Sequence, residues 1–190
     1  MPMPRMVITP RMPLGMTEAA PEALLRLLSW LSPSFPVGAF AYSHGIETAL
    51  DAGLIRSAAD LEGWIGAIIT HGAGFADAVF LCHAWRAAAC GDVEALKAVS
   101  GYAAAFRGSA EAALESAAQG RAFVSALAAG WPDLAVRSEA GTEPAYPCVV
   151  GAAAGLGGIP LPDAVLAFLH AFATNLISAG VRLIPLGQRE

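Results

Sequence analysis

Residues 92–127, DVEALKAVSGYAAAFRGSAEAALESAAQGRAFVSAL, decide the fold class. Alanine favours helix more than any other residue, and nothing in the stretch alternates in the way a strand requires. Gly108 divides it into two helical segments, Asp92 to Phe106 and Ser109 to Leu127. The bias extends to the whole chain, since 42 of its 190 residues are alanine, while 56% of residues are hydrophobic and only 8% aromatic. Small side chains bury little area each, so this composition predicts helices in close contact, with surplus apolar surface left for a partner.

Working outward, Pro21 and Glu22 open a segment whose leucines at 24, 25, 27, 28 and 31 form one wide stripe, stopped by Ser32-Pro33. A shorter helix is expected over Gly38 to Leu50, ended by Asp51-Ala52-Gly53. Ser57 followed by Asp60 reads as a capping box, after which Leu61, Trp64, Ile65, Ile68 and Ile69 repeat at helical spacing. His71-Gly72-Ala73-Gly74 loosens the pattern, and Phe75, Val79, Leu81, Cys82 and Trp85 resume it as a new helix or as the same helix after a kink. Gly130-Trp131-Pro132-Asp133 is a breaker, and Val136 to Pro147 is the most polar, loop-like stretch. Cys148 to Leu156 is an apolar run whose residues are too small to mark a strand. Pro162 begins a last helix that runs to about Ile184. The expectation is one all-α domain, a helical bundle of about eight helices over 17–190, preceded by a disordered Met/Pro-rich leader at 1–16.

Composition excludes several functions. The formal net charge is −5, and the 11 basic residues are ten arginines and Lys97, so no basic stripe neutralises nucleic-acid phosphates or marks an anionic membrane surface. No phosphate-binding loop followed by Lys-Ser or Lys-Thr occurs, and Gly155, Gly157 and Gly158 before Pro160 read as a turn. The stretch most like a membrane span, Val165 to Val181, carries His170 and Asn175 and fits a buried helix better. Three cysteines without a C-x-x-C pair signal no disulfide framework or zinc site and suit a reducing, cytoplasmic setting.

Chemistry-bearing residues are sparse. His83 and Cys90 share a helix face, but seven residues rise about 10 Å, too far for one metal ion, and no stably bound cofactor is expected. Cys90 falls at a helix C-terminus, where the dipole disfavours thiolate, and Cys82 sits among apolar neighbours. Asn175, Ser178 and Arg182 lie along one face of the last helix, either as an internal hydrogen-bond network or as a contact surface for another chain. Glu115 and Gln119 form an i, i+4 pair expected on a solvated face, and Gly120 beside them points to close packing of another backbone.

One segment exceeds periodicity: Ser32-Pro33-Ser34-Phe35-Pro36-Val37-Gly38-Ala39-Phe40-Ala41-Tyr42-Ser43-His44-Gly45-Ile46-Glu47. It resembles the N-terminal signature of the UreF family of urease accessory proteins. Support comes from the Glu115 to Phe123 segment, from Tyr146-Pro147-x-Val149-Val150-Gly151, and from Asn175, Ser178, Ala179 and Arg182 followed by Pro185-Leu186-Gly187-Gln188. The resemblance implies an all-α homodimer, a chaperone and scaffold that binds UreD (UreH in some species), recruits the GTPase UreG and serves nickel delivery to apo-urease, with nickel handled by the complex. Family members continue with a further helical segment after Pro-Leu-Gly-Gln, whereas this chain ends at Arg189-Glu190, so it is expected to lack that extension. Pro36, Gly38, Tyr42, Ser43, His44 and Glu47, the last four as exposed polar groups, are the expected partner-binding residues, with Glu115, Gln119, Asn175, Ser178 and Arg182. The alternative from another class is a small all-α enzyme pairing Cys82 or Cys90 with a histidine.

Overall fold

Side-chain caps set three of the helix starts. Ser57, Asp92 and Ser109 accept the backbone N–H of Asp60, Ala95 and Ala112 at 3.2, 2.9 and 3.2 Å, pairing donors that a first turn leaves open. At the first of these the Asp60 carboxylate reaches back to the Arg56 N–H at 2.9 Å, one residue beyond the reciprocal partner of an ideal capping box. The computed structural model describes residues 20–39, 42–134, 136 and 143–183. Its helices are α1 (Pro21–Trp30), α2 (Ile46–Asp51), α3 (Ala58–His71), α4 (Ala73–Ala89), α5 (Val93–Ala105), α6 (Ala110–Gly130), α7 (Tyr146–Leu156) and α8 (Leu161–Leu183), with a 3-10 turn at Pro132–Leu134. Because Gly72 alone separates α3 from α4, the two also read as one bent rod, which makes the bundle one of seven. No strand occurs among the described residues. The leader at 1–16 and Pro185–Gln188 lie outside them.

The run Cys148 to Leu156 proves to be most of α7, the centre of the fold. Eight of its side chains are buried, from Pro147 to Ala154, so it has no polar face to betray a helical period. Its main contact is with α4. The two backbones approach so closely that a Cβ added at Gly151 would lie 2.4 Å from the Leu81 carbonyl oxygen, and one at Gly155 would lie 2.6 Å from that of Trp85. Much of the glycine and alanine excess is therefore consumed inside the molecule. Cys148, 1% exposed, has its thiol pushed up to about 12 by burial. A thiol raised in this way supports the fold while it stays protonated, and that support is lost as pH rises from about 9, where the unfolded thiol ionises, toward 12. Between pH 9 and 10 the wild type should lose about 1 kcal/mol more stability than Cys148→Ala, a difference read from urea unfolding at the two pH values.

Two apolar cores flank a seam. The larger holds Trp30 and Leu27 of α1, Leu81 of α4, Phe123 and Leu127 of α6, most of α7 and Phe168 of α8. The smaller holds Ile46 and Ala49 of α2, Ile55, Leu61 and Ile65 of α3, and Leu176 of α8. Aromatic rings link the larger core in a chain: Trp131 to Trp30 at 5.7 Å, Trp30 to Phe123 at 6.1 Å, Phe123 to Tyr146 at 6.0 Å and Tyr146 to Phe168 at 5.7 Å.

Two expectations change. The leucine stripe of α1 is wider than the face it buries: Ala23, Leu27 and Trp30 point inward, while Leu24, Leu25 and Leu28 are exposed. The short second helix starts at Ile46, not Gly38, because His44 and Gly45 adopt φ of +47° and +81°, in the left-handed region that a right-handed helix cannot include. Two helical stretches, Ala58–Ala89 and Leu161–Leu183, are long and apolar enough to cross a membrane by length and composition alone. Here both contribute core residues, among them Leu61, Ile65, Leu81, Phe168 and Leu176.

Candidate functional site

The signature turn is seated by its phenylalanine. Phe35 lies 5.5 Å from the Phe123 ring and 6.4 Å from Trp131, so apolar packing fixes where the chain leaves α1. Gly38 then takes φ +75°, which a side chain would resist. Further on, Ser43 offers its carbonyl to the Ile46 N–H at 3.0 Å, and Gly45 stands at the N-cap of α2. Phe40 and Ala41 fall outside the described residues.

His44 meets the body of the protein at the seam between the cores. Its Nε2 lies 3.2 Å from Glu115 Oε1 on α6, and its ring stands edge-on to Phe172 of α8 at 4.9 Å. The same Glu115 oxygen accepts the Gln119 amide N–H at 3.0 Å. Behind them Arg107 donates to Asp77 Oδ1 at 2.8 Å and to the Ala103 carbonyl at 3.1 Å. Burial raises the Asp77 pKa while the Arg107 guanidinium opposes that rise. Burial likewise pushes the Tyr146 hydroxyl upward, with the Asp77 charge adding to it, so the phenol stays neutral. The Tyr146 backbone N–H donates to Ser116 Oγ at 3.2 Å.

A recess of about 40 Å3 opens among Tyr42, His44, Asp77, Glu115, Gln119, Tyr146 and Asn175. A second, of about 90 Å3, adjoins it and is walled by Trp30, Phe35, His170 and Thr174, sharing Tyr146 and Asn175 with the first. Each has room for a few water molecules. The acids and bases around them are mostly paired with one another, an arrangement suited to holding helices in register. Among the described residues no three of His, Cys, Asp and Glu are grouped to hold a metal ion.

The fold thus gathers Tyr42, His44, Glu115, Gln119 and Asn175 into one place and leaves others apart. Tyr42, Ser43 and His44 are half-buried instead of exposed, and of the four polar groups only Glu47 is exposed. Pro36 is exposed and Gly38 half-buried. Glu115 and Gln119 do not lie on a solvated face: Gln119 is 6% exposed. Ser178 and Arg182 continue from Asn175 onto the exposed side of α8. Gly120 does admit another backbone, since a Cβ there would collide with the Pro144 carbonyl, but that backbone is the chain's own. Asp77, Arg107 and Tyr146 are cluster members that spacing did not reveal. A buried Asp inside an apolar helix was the available signal, because such a carboxylate needs a cation within the fold. Cys90 is exposed at the end of α4, and burial raises the Cys82 thiol against the lowering effect of Arg86, the reverse of what activates a nucleophile.

Fold and site together define a small helical protein whose polar groups are spent on organising the seam between two cores. Comparison with known proteins then gives the family: the UreF profile matches residues 55–190. The chain is 48% identical over 184 residues to a urease accessory protein UreF of Rhodopseudomonas palustris strain BisB5, covering 92% of this chain and 75% of the relative. It is 52% identical over 171 residues to the UreF of strain TIE-1, covering 88% and 71%, and 48% identical over 183 residues to that of Bradyrhizobium sp. strain BTAi1, covering 95% and 76%. The chain belongs to the UreF family of urease accessory proteins. Its role lies in urease maturation, as a chaperone and not as an enzyme, and the small-enzyme alternative falls with that assignment.

Proposed function

We propose that this chain is a scaffold in urease maturation that joins a UreD/UreH-type accessory protein to the GTPase UreG, so that nickel is inserted into apo-urease in a GTP-dependent step. It works in the cytoplasm, as a homodimer, through protein contacts, with nickel as the cargo of the assembly. The observation that supports this reading best is the exposure of large apolar side chains on the outer faces of two helices. Leu24, Leu25 and Leu28 of α1 are 50%, 63% and 62% exposed, and Leu166, Ile177 and Val181 of α8 are 71%, 49% and 48% exposed. Exposed apolar groups that recur at helical spacing on a bundle suit helix-on-helix assembly. The polar line from Asn175 through Ser178 to Arg182 runs along α8 beside them, and Glu47 of α2 adds an exposed acid. Partner binding through Pro36, Gly38, Tyr42, Ser43, His44 and Glu47 then depends on how the turn is presented, and through Glu115 and Gln119 on how it is held.

The test is co-purification with a UreD-type protein, with and without the GTPase. A stable complex of this chain with the UreD-type protein, which then retains the GTPase, is the expected result. Failure to retain the UreD-type protein at micromolar concentrations would contradict the scaffold reading.

A further inference from the structure

We propose that His44 is the positioning residue of the docking surface: its imidazole locks the turn that precedes α2 onto α6 and α8, so that a protein partner meets one fixed arrangement of Ser43 and Glu47. The inference rests on the reading that this turn and α2 face a partner, and it assigns to His44 a task distinct from touching that partner.

His44 is the one non-glycine residue with positive φ among those described. A branched ring on a left-handed backbone is retained only where its surroundings over-determine it. Here the surroundings come from two separate helices. Glu115 of α6 holds Nε2 at 3.2 Å, and Phe172 of α8 receives the ring edge-on at 4.9 Å. Glu115 is itself held by the buried Gln119 through the same oxygen, so the acceptor is oriented before the imidazole reaches it. The Asp77 and Arg107 pair stands behind.

What His44 holds is otherwise weakly secured. α2 has six residues and no side-chain cap, too short to persist as a helix by itself. Ile46 and Ala49 anchor its underside in the smaller core. Rotation and approach at its start are left to the left-handed pair His44-Gly45 and to the imidazole. With the latch closed, Ile46 is fully buried while Glu47, the next residue, faces solvent. Loss of the latch would leave both cores intact and free the turn between them.

His44→Gly separates this role from plain backbone support, because glycine accepts the positive φ more readily while removing the ring. The expected result is amide exchange across Ile46–Asp51 faster by about tenfold or more, affinity for the UreD-type protein weaker by at least about tenfold, and a nearly unchanged thermal midpoint. Glu115→Ala should reproduce the affinity loss, and the double variant should be no weaker than either single one, as coupled groups require. Wild-type exchange and affinity in His44→Gly overturn the proposal, as does a double variant whose loss is the product of the two single losses. Faster exchange with unchanged affinity also overturns it and leaves the scaffold reading standing. A wild-type chain that binds no UreD-type protein overturns the scaffold reading and the docking role together, while the exchange data still report whether His44 holds α2.

Discussion

Gly151→Val should give little or no folded protein. The first side-chain atom alone would lie 2.4 Å from the Leu81 carbonyl oxygen and 3.1 Å from the Leu81 Cα, and both are backbone atoms of a helix that cannot turn aside as a side chain can. Relief requires α4 and α7 to separate. That separation opens the most extensive helix contact in the molecule and exposes Val150, Ala152, Ala153 and Ala154, each 0% exposed. Ordinary over-packing costs about 1–3 kcal/mol. Forcing two main chains apart costs more, against a total stability of about 5–15 kcal/mol for a domain. Gly101→Ala is the control, since a Cβ at that helical glycine meets nothing within 4 Å; it should stabilise α5 by about 1 kcal/mol. Urea unfolding of both variants beside the wild type checks the pair.

Phe123→Ala should cost about 4 kcal/mol, the usual range for deleting a buried aromatic ring. Phe123 is 0% exposed and lies within ring contact of Trp30, Phe35 and Tyr146. Its loss removes the bed on which Phe35 seats the signature turn. Partner affinity should therefore fall along with the urea midpoint, whereas a core deletion remote from the turn, such as Leu61→Ala in the smaller core, should lower stability with less effect on affinity. A Phe123→Ala protein with a midpoint close to wild type would show that the aromatic chain is not what holds the larger core together.

The elements that could be read from sequence are those with a polar side to define them. α3 announced itself through Ser57 and its run of branched apolar residues, and α8 through Pro162 and a long apolar stretch with polar punctuation. α7 did not, because a helix buried on every face has no amphipathic period, and Tyr146-Pro147 at its start was the remaining cue. The second helix was placed too early because the left-handed conformation of His44 is set by contacts with α6 and α8 that lie about 70 and 130 residues away in sequence. Gly120 was legible as a point of close approach, but not whose backbone approaches. The partner-binding candidates named from motif and spacing include five that the fold does bring together, Tyr42, His44, Glu115, Gln119 and Asn175. Their mutual pairing depends on side-chain geometry that no spacing rule conveys. The surplus of small apolar residues divides in two: glycine and alanine go to the α4–α7 contact, and large leucines and isoleucines remain outside on α1 and α8.

The central claim is that these outer faces assemble with other protein chains. A triple variant, Leu166→Ser, Ile177→Ser and Val181→Ser, removes apolar groups that are all about half exposed or more, so folding should tolerate it. Its oligomeric mass by sedimentation, alone and with the UreD-type protein, is the direct measurement. The account predicts a folded chain that has lost the homodimer, the partner complex or both. A triple variant that sediments as the same dimer and binds the same partner with wild-type affinity would contradict it.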